Sequence, residues 1–190
     1  MSTAVMMVTM TEASPRLKAR IAGAFYLLTF VTGALALVSV RGRPAANLAA
    51  TVCYVVVTLL FYDILKPVNK AVSSLAALVS LAGCTYGVLT LFRLIPAYVN
   101  GLVFFGVYCL LIGYLVFRSS FLPRILGVLM VLPGFAWLTF LWPALAKSLS
   151  PYNLAAAMFG EAALTLWLLV MGVNAERWHE EAGRDHGEAS

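Results

Sequence analysis

Six long apolar runs, separated by short polar connections, organise this chain. They cover about residues 21–40, 46–65, 71–92, 98–117, 125–145 and 152–173. An α-helix rises 1.5 Å per residue, so about 20 apolar residues cross the hydrocarbon core of a bilayer, which is roughly 30 Å thick. The pattern predicts an all-α, polytopic membrane protein whose single domain, residues 16–173, is a six-helix transmembrane bundle.

The two ends of the chain differ from this pattern. Residues 1–15 lack a clear period and are predicted to form a flexible N-terminal tail, and residues 174–190 a short charged C-terminal tail. The first run is longer than the apolar core of a cleaved signal peptide, which has about 7–15 residues. It is therefore interpreted as a retained first span. Pro133, inside the fifth run, removes one backbone hydrogen bond and predicts a kink there.

Lysine and arginine are distributed unequally between the two sides of the predicted bundle. One side holds the N-terminal segment, the second and fourth connections and the C-terminal tail, with nine Lys and Arg residues; the other side holds four, Arg41, Arg43, Arg93 and Lys147. Cytoplasmic connections are enriched in these residues. The bias predicts that both termini are cytoplasmic, which agrees with an even number of spans.

The amino-acid composition indicates that the chain is embedded in lipid, and it bears on which partners the protein can bind. The chain is 62% hydrophobic and 11% charged, against about 45–50% and about 25% in soluble domains. The net charge of +5 arises from basic residues placed one to three at a time between apolar runs, so no basic face for nucleic acid forms. We expect membrane lipids as partners and no nucleic acid.

No pattern for a cofactor or a metal ion is present. His179 and His186 lie in the charged tail and outside every span, which argues against a haem or an intramembrane zinc site. The sequence also lacks a Walker motif, H-E-x-x-H and G-x-S-x-G. We expect neither a cofactor nor a metal.

One carboxylate lies near the middle of the last span. Placing Glu161 there costs about 2.5–3.5 kcal/mol on insertion scales, so it marks either a functional site or a helix-tying hydrogen bond from a neutral carboxyl to a tyrosine or a backbone group. Arg93 is the nearest cation by predicted depth. Glu161 shares a helix face with Asn153 and Thr165.

These positions define the predicted site. The candidates for a ligand pocket, with Glu161 also the candidate for catalysis, are Glu161, Asn153, Thr165, Tyr54, Tyr62, Arg93 and Tyr108. Five further aromatic residues near span ends are typical of an interfacial belt: Tyr98, Trp137, Trp142, Tyr152 and Trp178. Asp63 is predicted to form an interfacial ion pair with Lys66 and Lys70.

Several stretches carry a resemblance to a known family. Residues 19–30, 62–69, 113–127 and 160–173 are similar to the bacterial membrane proteins grouped as DUF4386, with the most specific match around 118–127. The family has no assigned function. The resemblance therefore implies a membrane-embedded helical fold, the bacterial cytoplasmic (inner) membrane as location, and a shared pattern at Gly160, Glu161 and the 118–123 connection.

Three functions remain open from the residues. The first is an intramembrane pocket for a lipid-like or apolar small molecule, anchored by Glu161. The second is an acid/base enzyme of the isomerase or cyclase type acting on a lipid-soluble substrate. The third is a proton-coupled transporter, for which a chain of 190 residues would have to dimerise; homo-oligomerisation is also left open for the other two.

Overall fold

The computed structural model describes residues 14–39 and 41–187, so the predicted tail up to residue 13, and residues 40 and 188–190, lie outside it. Within the described ranges the chain is helical and contains no strand. The helices are α1 Pro15–Val38, α2 Arg43–Leu65, α3 Lys70–Leu91, α4 Leu102–Arg118, α5 Arg124–Leu129, α6 Val131–Leu138, a 3₁₀ turn Thr139–Leu141, α7 Pro143–Leu149, α8 Tyr152–Val170 and α9 Ala175–Gly187.

Five helical segments are long and apolar enough to cross a membrane. They are α1, α2, α3, α8 and the segment Arg124–Leu141, which joins α5, α6 and the 3₁₀ turn. α4 is equally apolar but has only 17 residues. The protein is thus all-α, as predicted, and has the helices of a multi-pass membrane protein.

The long helices form a closed ring in chain order. Each of α1 to α4 packs against the next helix, α4 packs on both α5 and α6, these two pack on α8, and α8 returns to α1. Every ring helix therefore turns one face to a shared interior and another to the outside. Small and hydroxylated residues contribute to that interior, for example Ser80 of α3, whose hydroxyl lies 2.6 Å from that of Thr58 of α2.

Polar contacts join the helices at one end of the ring, where α1, α3 and α5 begin and α2, α4 and α8 end; this end is called the basic end. Asp63 of α2 bonds Lys18 of α1 and Lys66. Of the two predicted partners of Asp63, Lys66 is confirmed, whereas Lys70 forms no ion pair with it among the described residues; Lys18 is a partner that the sequence did not indicate. Residues 175–187, predicted as a charged tail, form α9, whose Trp178 indole donates to the carbonyl of Ile64.

Two predicted spans differ from the observed helices. The fourth was expected over residues 98–117, but the helix begins only at Leu102, after a turn containing residues 98–101. The fifth was expected as one kinked helix over 125–145; instead it breaks at Met130 and ends in the 3₁₀ turn. The break precedes Pro133 by three residues because a proline ring clashes with the carbonyl four residues earlier, here that of Leu129.

The broken fifth segment packs very closely on α8 at Gly160. A Cβ placed on Gly160 would lie 2.4 Å from the carbonyl oxygen of Leu129 and 2.4 Å from Cδ of Pro133. The carbonyl that loses its helical donor at Pro133 therefore faces the one position of α8 that has no side chain. This contact sets the spacing of the two helices next to Glu161.

Replacing Gly160 by alanine should destabilise the bundle. The added methyl group meets a backbone carbonyl and a proline ring, neither of which can rotate away, so we expect a loss of about 1–3 kcal/mol, as for other overpacked cores. Unfolding in detergent, followed by circular dichroism, measures it. Gly87→Ala is the matched control: its Cβ would have no neighbour within 4 Å, and it should be neutral or stabilise α3 by up to about 1 kcal/mol. Equal stability of both variants would contradict the close packing.

Candidate functional site

Glu161 is the central residue of α8, with nine residues on either side, and only 5% of it is exposed. Its oxygen Oε2 accepts a hydrogen bond of 2.9 Å from the hydroxyl of Tyr26. The other oxygen, Oε1, accepts from the indole nitrogen of Trp137 at 2.5 Å and has the thiol of Cys109 at 3.7 Å. The carboxyl group is thus held by three other helices, α1, α4 and α6.

Aromatic rings surround this carboxyl group. The ring of Tyr54 on α2 meets that of Tyr26 edge to face, with centroids 5.7 Å apart, and that of Tyr108 on α4 at 5.8 Å. We call these six residues the Glu161 cluster: Tyr26, Tyr54, Tyr108, Cys109, Trp137 and Glu161. It draws on α1, α2, α4, α6 and α8, so its formation requires these five helices to pack together.

Two hydroxyl groups of the cluster have no hydrogen-bond partner within the described part of the chain. They belong to Tyr54 and Tyr108, and both oxygen atoms are shielded from solvent. A buried hydroxyl without a partner costs about 1–3 kcal/mol, and the penalty falls away only when a polar group reaches it. The cluster therefore holds more hydrogen-bonding capacity than the contacts between its helices use.

The hydrogen bonds of the Glu161 carboxyl group are compatible with both its charged and its neutral form. Trp137 can only donate, so Oε1 must be an acceptor oxygen. A tyrosine hydroxyl can donate to a carboxylate or accept from a neutral carboxyl. The bond between Tyr26 and Oε2 therefore suits both charge states, and it gives Glu161 a neighbour that can share a proton.

The other predicted site residues are distributed along the bundle. The hydroxyl of Thr165 donates to the Glu161 carbonyl within α8. Asn153 is buried nearer the opposite end, where its amide donates to the Thr139 hydroxyl and to the carbonyl of Ala146. Tyr62 is half-buried in α2 near the basic end.

Arg93 does not join the cluster. It is exposed, follows the end of α3 and has a positive φ of 56°. Within the described residues Arg93 forms no hydrogen bond or ion pair with Glu161, whose carboxyl group is bonded by Tyr26 and Trp137. The membrane depth predicted from its position in the third span placed Arg93 near Glu161. In the structure, the turn after α3 leaves Arg93 at the protein surface.

Trp137 was assigned to the interfacial belt, and that interpretation is wrong. The break at Met130 and the close contact at Gly160 bring the indole of Trp137 to Glu161. Two further partners, Tyr26 and Cys109, are not among the candidates that the sequence indicated. A buried carboxyl group needs hydrogen-bond donors, and this signal could have indicated Tyr26, a tyrosine within the first predicted span.

Two cavities lie on either side of the cluster. A cavity of about 700 Å³ at the end opposite the basic end is lined partly by Asn153, Lys147 and Phe140. The ring of Phe140 lies 6.1 Å from that of Trp137, so this aromatic pair connects the wall of the cavity to the donor of Glu161. Towards the basic end, a small apolar cavity of about 10 Å³ is bounded by Phe61 and Leu164, among others. No group of three His, Cys, Asp or Glu residues able to hold a metal occurs in the described ranges.

Comparison with known proteins shows which family part of the chain is similar to. Residues 85–172 match the family model DUF4386, described as a domain of unknown function. An uncharacterized protein of Archaeoglobus fulgidus is 28% identical over 127 residues, which cover 62% of this chain and 76% of the relative. No solved structure matches the chain. The match confirms the resemblance around 113–127 and in nearly all of 160–173, and it includes Glu161, Trp137 and Cys109.

Removing the indole donor should weaken the bundle through Glu161. Trp137→Phe keeps an aromatic ring but leaves Oε1 with only the thiol, so we expect a loss of about 1–3 kcal/mol in the free energy of unfolding. The measurement is a double-mutant cycle with Glu161→Ala, in which the effect of Trp137→Phe should shrink by at least half. Trp142→Phe, at a tryptophan that is 69% exposed, is the control and should change little. Full additivity of the two cluster variants would contradict the contact.

Proposed function

The segment 85–172 is a DUF4386 domain, and because that family is described only as of unknown function, we propose a role from the structure itself. The protein is a six-span protein of the bacterial cytoplasmic membrane with both termini in the cytoplasm. Within the bilayer it binds the polar end of a lipid-like or apolar small molecule at the Glu161 cluster.

The proposed six crossings rest on the closed ring. α4 has 17 residues, which corresponds to about 25 Å of helix. It lies between α3 and the fifth segment in the ring, so a shorter helix can cross with its neighbours if the bilayer thins slightly around it. The excess of Lys and Arg at the basic end supports the proposal that this end is cytoplasmic.

A reporter fused to the C-terminus tests the proposed topology. Because six crossings return the chain to the side on which it started, green fluorescent protein fused to residue 190 should fluoresce in cells, and alkaline phosphatase at the same place should be inactive. Phosphatase inserted between residues 97 and 98, in the connection after α3, should be active. An active C-terminal phosphatase would contradict a cytoplasmic C-terminus and therefore the proposed topology.

The unpartnered hydroxyls of Tyr54 and Tyr108 carry the proposal of a ligand. They lie beside a carboxyl group that is already bonded, and packing alone would be served as well by phenylalanine at both positions. Retaining two costly hydroxyls is reasonable if a ligand oxygen accepts from them. A carbonyl, ester or quinone oxygen on an otherwise apolar molecule has that chemistry.

The cavity of about 700 Å³ supports a route to this site. Its volume lies within the range of about 300–1,000 Å³ that is typical of small-molecule pockets. Phe140 lines the cavity and lies 6.1 Å, ring to ring, from Trp137, whose indole bonds the carboxyl group. Rotation of these two rings would admit a slender apolar molecule to the cluster, with Asn153 as a polar contact at the cavity.

An acid/base enzyme is the second candidate, favoured by the bond between Tyr26 and Glu161. A carboxyl group that shares a proton with a phenol can serve as general acid or base. The molecule bound at the cluster would then be the substrate. The carboxyl group would donate a proton to, or remove one from, an atom next to the bound oxygen.

Tyr108→Phe separates ligand binding from packing. The variant removes an unpartnered hydroxyl, so the ligand-free protein should be as stable as the parent or more stable, by up to about 1–3 kcal/mol. The amount of apolar molecules that co-purify with the protein is measured by mass spectrometry of an organic extract. This amount should be lower in Tyr108→Phe than in the parent, and also lower in Tyr54→Phe and in Glu161→Gln.

Tyr152→Phe is the control for this experiment, because Tyr152 is 77% exposed, is not part of the cluster and does not line the cavity of about 700 Å³. Its co-purified molecules should match those of the parent. If Tyr54→Phe and Tyr108→Phe retain the same molecules in the same amounts as Tyr152→Phe, the hydroxyls have no ligand and the proposed function fails.

A further inference from the structure

A second large cavity lies at the basic end, apart from the Glu161 cluster. It has a volume of about 610 Å³ and lies between the start of α1, the connection from α4 to α5 and the turn from α8 into α9. Its wall combines charged and apolar groups. The residues used below are Arg16, Ser120, Leu122, Trp167, Glu176 and Arg177.

Two arginines are fixed at this cavity from opposite sides. Nε of Arg16 donates to the carbonyl of Met171 at 3.3 Å, and Nη1 of Arg177 donates to the carbonyl of Ser120 at 3.3 Å. A guanidinium has five N–H donors. Each arginine is thus oriented by the backbone while keeping further donors for an anion.

The positions of both arginines are defined by packing. Gly172 has a φ of +69°, and a Cβ there would lie 2.9 Å from Cγ of Arg16, so the turn after α8 presses directly on this side chain. On the other side, Glu181 of α9 bonds both the backbone nitrogen and the hydroxyl of Ser120. The carbonyl that holds Arg177 is therefore itself held by α9.

The cavity has an apolar side that continues onto the outer surface of the bundle. Leu122 and Trp167 line it, and Leu17, Val170 and Met171 nearby are half or more exposed on α1 and at the end of α8. This outer surface faces lipid if the helices span a bilayer. The guanidinium groups at the helix ends then lie at the level of the lipid phosphates.

We propose that this cavity binds the phosphate group of a phospholipid, with Arg16 and Arg177 on the phosphate and the acyl chains along α1 and α8. Guanidinium groups suit phosphate because two N–H donors can bond two oxygens together. Glu176, also on the wall, opposes an additional negative charge. This site is independent of the proposed ligand at Glu161.

The test uses the full-length protein in micelles of a neutral detergent, with phosphatidylglycerol or phosphatidylcholine added. Phosphatidylglycerol should raise the thermal unfolding temperature of the parent. The double variant Arg16→Gln/Arg177→Gln should need about tenfold more of this lipid for the same shift, as expected for losing two charge-assisted contacts. Glu176→Gln should need less lipid than the parent, because a repelling carboxylate is removed.

The matched control is Arg118→Gln/Arg124→Gln. These two arginines are exposed at the same end and do not line the cavity. Their replacement removes the same charge, so the lipid response should stay within about twofold of the parent. An equal loss in both double variants would show general surface attraction and overturn the site. If the Arg16→Gln/Arg177→Gln variant unfolds without lipid, two single variants replace it: Arg16→Lys and Arg177→Lys. Both keep the positive charge but lose the paired donors, so each should weaken the response to the lipid.

Inorganic phosphate at the same concentrations distinguishes a lipid from a free anion. It should leave the unfolding temperature of the parent unchanged, because it lacks the apolar chains that the wall contacts. An equal stabilisation by inorganic phosphate would overturn the assignment to a phospholipid.

Discussion

The burial of one carboxyl group at the centre of an apolar helix is the constraint on which the rest of this structure depends. Glu161 is only 5% exposed within an apolar helix, so its oxygens must be satisfied by other helices. Tyr26 and Trp137 provide those bonds. They fix the rotation of α1 and α6 about their axes and, through the ring of contacts, restrict the helices between them.

The broken fifth segment makes this arrangement possible. Pro133 prevents a continuous helix, and the freed carbonyl of Leu129 packs against Gly160. The residue next to Gly160 is Glu161, and Trp137 lies one helical turn beyond Pro133. A feature that costs helix stability thus places the indole donor where the carboxyl group needs it, and the glycine allows the two segments to approach.

The cluster also exceeds what helix packing needs. Three donors satisfy the carboxyl group, while the hydroxyls of Tyr54 and Tyr108 stay unpartnered in the described part of the bundle. The cavity at the basic end differs in kind, since exposed guanidinium groups held by backbone carbonyls form it. One site suits a mostly apolar molecule with an oxygen acceptor, and the other suits a phosphate at the membrane surface.

The sequence by itself determined the helical class, the membrane environment and the single residue at the centre of the site, because these follow from local hydropathy and from one charge in an apolar run. It also placed Tyr54 and Tyr108 among the candidates. It misplaced Trp137 and Arg93, because depth along a span says nothing about which way a helix faces or how a turn leaves it. Only the tertiary structure decided the partners of Glu161, since they come from distant helices whose rotation is set by the break at Met130 and the contact at Gly160.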